Sequence, residues 1–178
     1  MLDGLELLFA NAATLFIAWL LADSGWHKRA RTNRDYYHGV FASYGLLLGE
    51  RWRWVIPLWG WAEMALALAL LIDPLRQIAA PAAVLLLGVY FVALASQLLR
   101  GQYGRDCGCA GPAGALKISP ALLVRNVLLL LLGSLALSAE LGASSLLWWQ
   151  IVPTAAVLWL GYLSVEQLLS NRQTIRSL

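Results

Sequence analysis

Two cysteines, Cys107 and Cys109, are the side chains of this sequence best suited to chemistry. They are the two cysteines among its 178 residues, and a single glycine separates them. Two thiols at this spacing can close into a small strained ring, and strained disulfides tend to be oxidising and to exchange readily. Gly108 permits the tight backbone of such a ring. The spacing therefore predicts a redox-active pair, with two unconnected loop thiols as the alternative.

The residues around the cysteines argue against a zinc site. A structural zinc ion takes about four protein ligands. Besides the two thiols, the sequence offers His27 and His38, which lie in a different connection. Both histidines are interpreted as residues of the membrane interface. We therefore predict no metal ion at the cysteine pair.

The composition places the cysteines in a membrane protein. Hydrophobic residues make up 60% of the chain and charged residues 13%, whereas a soluble domain carries about 25% charged residues. The mean hydropathy is +0.67, and the long apolar runs predict membrane-spanning helices. Because the basic residues flank these runs, the pI near 9.1 does not indicate a nucleic-acid partner. The predicted partner of the apolar surface is the lipid bilayer.

The predicted fold is an all-α, polytopic transmembrane bundle with a core of four helices and a fifth span beside it. We expect one integral membrane domain over residues 1–178. No cleaved signal peptide is predicted, because Asp3 and Glu6 stand where a basic segment would precede the apolar run. The predicted spans are residues 2–22, 55–72, 79–99, 120–138 and 146–169.

The connection between the first two spans, residues 23–53, contains a further helical signal. Four apolar residues recur at spacings of four, three and four, which is the period of one helix face. An amphipathic interfacial helix is therefore predicted here, with a plain surface loop as the alternative. The four residues are Tyr37, Phe41, Tyr44 and Leu48.

Basic residues are distributed unevenly about the predicted spans. Eleven of the thirteen lysines and arginines fall on the side that holds residues 23–53, the cysteine loop and the C-terminal tail. The other two are Arg76 on the opposite side and Arg125 within a span. Because cytoplasmic loops carry the excess of Lys and Arg, this pattern predicts a cytoplasmic cysteine loop and an external N-terminus.

Glu63 in the second predicted span and Arg125 in the fourth are the two ionisable side chains that lie clearly inside a span. An uncompensated charge there costs roughly 2.5 kcal/mol or more, and a buried Glu63–Arg125 pair beneath the cysteine loop is within geometric reach. Arg125 could favour a nearby thiolate or hold a quinone oxygen, while Glu63 handles a proton. Asn126 could add a hydrogen bond. A pair that only pins two helices together is the alternative.

Three motifs follow one another along the chain in a recognisable order. They are Trp61-Ala62-Glu63-Met64-Ala65 in the second span, Asp106-Cys107-Gly108-Cys109-Ala110-Gly111 in the loop, and Arg125-Asn126 in the next span. In this order the sequence resembles the methylamine utilisation protein MauE family, within the wider DoxX-like group of redox-associated membrane proteins. Many members have an aromatic residue after the second cysteine, where this chain has Ala110.

The resemblance implies a multi-pass protein of the bacterial inner membrane that works with a thioredoxin-like, MauD-like periplasmic partner. It implies a role in maturing a protein such as the disulfide-rich small subunit of methylamine dehydrogenase. Cys107 and Cys109 would be the catalytic pair. A periplasmic partner conflicts with the cytoplasmic cysteine loop that the charges predict. The supporting residues carried over by motif are Glu63, Arg125, Asn126 and Asp106.

These observations predict a membrane thiol–disulfide redox protein. A quinone is the electron carrier suggested by the architecture of other helical bundles, which is an analogy rather than a residue-level argument. One alternative is a non-catalytic membrane subunit that docks or stabilises a redox or export complex. Another is a quinone-linked oxidoreductase subunit.

Overall fold

The computed structural model describes residues 2–45, 49–108, 111–112, 116–139 and 148–176, and this part of the chain is helical and contains no strand. Short 3-10 turns precede the second and third α-helices and follow the fifth. The helices are α1 (Leu2–Arg29), α2 (Arg34–Ser43), α3 (Val55–Leu70), α4 (Asp73–Leu99), α5 (Pro120–Leu135) and α6 (Trp148–Arg176).

Four helices are long and apolar enough to cross a membrane. They are α1, α4, α6 and α5 with its 3-10 extension to Ser138. The remaining predicted span forms α3, whose 16 residues correspond to about 24 Å at about 1.5 Å per residue. This is shorter than the hydrocarbon core, which is about 30 Å thick. The predicted all-α polytopic bundle is confirmed, with α3 as a short helix between α1 and α4.

The core forms around α1, which contacts α3, α5 and α6. Its buried face is rich in alanine, and small side chains allow helices in membranes to approach closely. By contrast α6 lies at the edge, where Trp159 meets Trp19 with ring centroids 5.6 Å apart. The predicted arrangement of four core helices with a fifth beside them is therefore found. The buried alanines of α1 are Ala10, Ala12, Ala13 and Ala18.

Three helices extend beyond the predicted spans. α1 continues to Arg29, α4 already begins at Asp73, and α6 continues to Arg176. The early start of α4 places Pro74 in the first turn, where proline costs little. No glycine or proline follows Gly161 in the sequence of α6 to interrupt that helix.

The amphipathic helix predicted in the first connection is α2. Tyr37 and Val40 are buried, and Phe41 is half-buried. The helix therefore covers one end of the bundle with its apolar face. Leu48, the last residue of the predicted pattern, lies outside the described residues.

The cysteine loop, α2 and the end of α6 share one end of the molecule. Lys117 of the loop and Gln173 of α6 exchange two hydrogen bonds of 2.8 and 2.9 Å. At the opposite end Arg76, which was predicted in the short turn between the second and third spans, lies in the first turn of α4 and is buried. It donates to the Leu70 carbonyl at 3.1 Å and to Asn11 Oδ1 at 3.2 Å. These contacts bury the cation where the α3–α4 turn meets α1.

Candidate functional site

A short antiparallel pairing closes the base of the cysteine loop. The Cys107 amide donates to the Leu116 carbonyl and the Ile118 amide to the Arg105 carbonyl, both at 2.8 Å. Asp106 and Lys117 form the β-bridge between these bonds. The pairing fixes the backbone on both sides of the loop, and with it the position of Cys107.

Cys107 points into the protein rather than into solvent. It is 7% exposed and packs with Leu94, Leu116 and Leu122. Its carbonyl accepts a hydrogen bond of 3.4 Å from the Tyr44 hydroxyl. Cys107 is disulfide-bonded, and Cys109, the other cysteine of the chain, lies outside the described residues. The environment of Cys107 therefore belongs to the core as much as to the loop.

Two glycines allow the loop to pack closely against the helices below it. Gly108 has a φ of +74°, and a Cβ there would lie 2.7 Å from Cγ1 of Val40 in α2. Gly111 has a φ of +70°, and its Cβ would lie 3.3 Å from the His27 ring. Both positions favour glycine by conformation and by space. Gly108 thus provides the tight backbone that the sequence predicted.

A cavity of about 320 Å³ lies beneath the cysteine loop, and all six helices contribute to its wall. Most of the lining is aliphatic or aromatic. Among the predicted site residues, Cys107, Arg125 and Asn126 line this cavity. Three predicted residues from two separate segments, the cysteine loop and α5, are therefore brought to one place.

Lys28, rather than Arg125, is the partner of Glu63. Its Nζ donates to both Glu63 carboxylate oxygens at 2.9 Å and to Ser24 Oγ at 2.5 Å. Tyr90 also donates to Glu63 Oε1, and Trp59 Nε1 donates to the Tyr90 hydroxyl at 2.6 Å. The predicted Glu63–Arg125 pair is therefore wrong, because α1 runs about two turns further than predicted and buries Lys28 opposite Glu63.

Arg125 pairs with Glu166 of α6 instead. Its Nη1 lies 2.7 Å from Glu166 Oε1 and 3.4 Å from the Tyr162 hydroxyl, and that hydroxyl donates to the same carboxylate at 2.6 Å. Glu166 falls inside the predicted fifth span. It is therefore an intramembrane ionisable residue in addition to Glu63 and Arg125. Within each pair, Lys28–Glu63 and Arg125–Glu166, the positive and the negative charge neutralise each other.

The remaining predicted residues have different positions. Asn126 is buried, and its Nδ2 donates to the Leu122 carbonyl at 3.1 Å within α5. Asp106 is half-buried in the loop pairing. Burial, and secondarily the charge of Asp106, raises the pKa of Tyr36 to about 12. Burial also raises the pKa of Tyr44, so both hydroxyls remain protonated donors near neutral pH.

Several residues of the site were not identified from the sequence as site residues. Lys28 was assigned to a basic loop, although Ile17, Leu21, Ser24 and Lys28 recur at spacings of four, three and four. This is one helix face, so periodicity alone could have extended α1. Glu166 is an ionisable residue within the predicted span 146–169, which is the signal that singled out Glu63 and Arg125. Trp59, Tyr90 and Tyr162 lacked a comparable signal.

The chain is similar to a known protein family and to several named proteins. The family described as methylamine utilisation protein MauE matches residues 6–139. The chain is similar to three proteins named methylamine utilization protein MauE. That of Methylophilus methylotrophus is 37% identical over 100 residues, which is 56% of this chain and 52% of the relative. That of Paracoccus versutus is 36% identical over 124 residues, 68% of this chain and 66% of the relative.

The third, from Paracoccus denitrificans, is 32% identical over 133 residues, 75% of this chain and 70% of the relative. The chain thus spans between half and about two thirds of the length of the first two relatives. No solved structure matches it.

Proposed function

The chain belongs to the methylamine utilisation protein MauE family, and from this premise we propose that it is an integral membrane thiol–disulfide redox protein of methylamine utilisation. Cys107 and Cys109 form the exchanging pair. Its partner is a thioredoxin-like, MauD-like protein, with which it works at the bacterial inner membrane. The protein that this exchange helps to mature is one such as the disulfide-rich small subunit of methylamine dehydrogenase.

The position of Cys107 is the observation that carries this proposal. A disulfide-bonded cysteine lines an internal cavity together with a buried arginine and a buried asparagine. Buried polar groups that converge on a reactive side chain in a cavity are typical of functional sites.

Exchange follows from the chemistry of disulfides. A thiolate of the partner attacks one sulfur, the Cys107–Cys109 bond breaks, and a mixed disulfide forms as the second thiol is released. A second partner thiolate then displaces the remaining cysteine, which leaves the partner oxidised and this chain reduced. Because Cys107 is 7% exposed, we expect the attack at Cys109.

The burial of Cys107 also favours a second candidate function. A cysteine held beneath a loop that is seated on Val40 and His27 could serve to shape a docking surface without exchanging electrons. The chain would then be a non-catalytic subunit that holds a redox partner in place. The two functions differ in what they require of the thiols.

Single serine substitutions at the two cysteines distinguish these functions. In a host that lacks its own relative of this chain, we expect Cys107→Ser and Cys109→Ser to abolish growth on methylamine and formation of the mature dehydrogenase. In Cys107→Ser, the Cys109 thiolate can attack the disulfide of the oxidised partner, which breaks that bond and releases one partner thiol, so a mixed disulfide should be visible on a non-reducing gel. In Cys109→Ser, this adduct should be absent because Cys107 is buried.

Tyr103→Ser is the matched control, because Tyr103 lies in the same loop and is 63% exposed. It should support wild-type growth. Growth of both cysteine variants, combined with loss of growth on deletion of the chain, would refute exchange and support the docking function.

A further inference from the structure

The cavity beneath the cysteine loop has the size and wall of a binding site for an apolar molecule. Its volume of about 320 Å³ falls within the range of ligand pockets, about 300–1,000 Å³. Such pockets combine an apolar wall with a few polar groups that orient the ligand. The wall here is mainly leucine, valine and aromatic rings, which favours a flat apolar ligand over a hydrophilic one.

The charges in the wall favour an uncharged ligand. Lys28 and Arg125 both line the cavity, and each is already paired with a carboxylate, at 2.9 Å and 2.7 Å respectively. An anion would have to displace Glu63 or Glu166 from its partner. That would leave a buried carboxylate uncompensated, which is strongly unfavourable. A small anionic sulfur compound is therefore a poor fit.

Hydrogen-bond donors remain available in the same wall. The contacts of Arg125 with Glu166 and Tyr162 both use Nη1, and its Nε has no partner among the described residues. Asn126 uses Nδ2 toward the Leu122 carbonyl, and an amide nitrogen carries a second hydrogen. These groups suit a ligand with neutral carbonyl oxygens.

We propose that this cavity binds the ring of a membrane quinone, with Arg125 and Asn126 as donors to its carbonyl oxygens. The inference rests on the redox role proposed for Cys107 and Cys109, and it names the electron acceptor for that role. Oxidation of two thiols to a disulfide releases two electrons and two protons. A quinone that takes up both becomes a quinol, so the reaction balances.

The membrane provides a route for such a ligand. Val89 of α4 lines the cavity and is 48% exposed, so the cavity reaches the outer surface of the bundle beside this residue. A lipid-soluble carrier could enter there. Val92 lies one helical turn further along α4, is 64% exposed, and does not belong to the cavity wall.

These two valines provide a matched test. The purified chain in lipid nanodiscs would be titrated with ubiquinone-1, a short-chain quinone, and binding followed by equilibrium dialysis. We expect saturable binding to the wild type, at least tenfold weaker binding to Val89→Trp, and unchanged binding to Val92→Trp. The paired variant Arg125→Gln/Glu166→Gln, which removes both charges together, should also weaken binding about tenfold.

The cysteines separate this inference from the proposed function. Cys109→Ser, which leaves the Cys107 side chain of the cavity wall in place, should bind ubiquinone-1 like the wild type, because binding does not require a disulfide. Absence of saturable binding, or equal binding to Val89→Trp and Val92→Trp, would overturn the quinone site even if the cysteine variants abolish exchange with the partner. Saturable, Val89-dependent binding together with active cysteine variants would instead retain the site and refute the exchange function.

Discussion

At the level of single side chains, the interior of the bundle contains balanced charges. Lys28 and Glu63 are 4% and 1% exposed and meet at 2.9 Å. A buried ion pair contributes little net stability, but removal of one partner leaves an uncompensated charge that costs about 3–5 kcal/mol. The pair is therefore a sensitive point of the fold.

Substitution of Lys28 tests this sensitivity. Lys28→Met should lower the free energy of unfolding by about 3 kcal/mol, because Glu63 is then left with Tyr90 and no cation. The double variant Lys28→Met/Glu63→Met should recover most of the loss. Unfolding of the purified chain in mixed micelles with increasing denaturant would measure both.

A surface ion pair is the control for Lys28→Met. Arg53 pairs with Glu50 at 2.7 Å, but the two side chains are 36% and 77% exposed. Exposed pairs contribute about 0–1 kcal/mol, so Arg53→Met should change stability little. If Lys28→Met is no more harmful than Arg53→Met, the buried pair does not have the role assigned to it.

The sequence identified which residue types would occupy the site but not how they pair. Glu63 and Arg125 are charged and lie within apolar spans, so each requires a partner that compensates its charge. The partner itself depends on helix packing, because every cation within reach satisfies the same electrostatic requirement. The prediction placed Lys28 outside the first helix, since a run of basic residues at a helix end is a common sign of a membrane boundary.

At the level of helices, α1 and α3 are in contact through two glycines. A Cβ at Gly25 would lie 2.5 Å from the Gly60 carbonyl oxygen, and one at Gly60 would lie 2.7 Å from the Gly25 carbonyl oxygen. Lys28 and Glu63 each follow their glycine by three residues. The close glycine contact therefore sets the distance at which this ion pair forms.

Alanine at Gly25 should separate the two helices. The added methyl group would meet backbone that cannot move aside, and overpacking of this kind costs about 1–3 kcal/mol. We expect Gly25→Ala to lower the denaturant midpoint of the purified chain.

The controls for Gly25→Ala are Gly88→Ala in α4 and Gly161→Ala in α6, where nothing lies within 4 Å of an added Cβ. These should be neutral or stabilising by up to about 1 kcal/mol, because alanine favours the helix. Equal midpoints for Gly25→Ala and its controls would show that the contact is not tight.

The helices themselves were largely predictable, because length and hydropathy determine where an apolar chain crosses a membrane. The fourth predicted span, residues 120–138, coincides with α5 and its 3-10 extension. The errors lie at the ends of α1 and α6 and at the start of α4, where polar residues extend a helix. Hydropathy marks where the apolar segment ends, whereas a helix ends where hydrogen bonding or a breaker stops it.

At the level of the whole molecule, the two ends differ in their charge and contacts. α2, the cysteine loop and the end of α6 gather at one end, where Lys117 meets Gln173, as the alternation of spans predicted. Which end faces the cytoplasm depends on how the basic residues interact with the membrane system during insertion. Contacts within the protein do not determine it.

The orientation is best tested with new cysteines, because Cys107 is buried and disulfide-bonded and would react slowly with a maleimide in either orientation. In the background Cys107→Ser/Cys109→Ser, Tyr103→Cys reports on the cysteine-loop end and Asp73→Cys on the opposite end. Both positions are exposed. The charge distribution predicts that a membrane-impermeant maleimide labels Asp73→Cys in intact spheroplasts and Tyr103→Cys only after lysis.

The opposite labelling pattern would place the cysteine loop in the periplasm and refute the charge argument. That orientation would allow direct exchange with a periplasmic thioredoxin-like partner. The predicted pattern has a different consequence. Cytoplasmic thiols are kept reduced, so a cytoplasmic pair could reach a periplasmic substrate only through a carrier that crosses the bilayer. The quinone proposed beneath the loop accepts electrons from the pair and supplies none to it, so labelling of Tyr103→Cys only after lysis would count against exchange with a periplasmic partner.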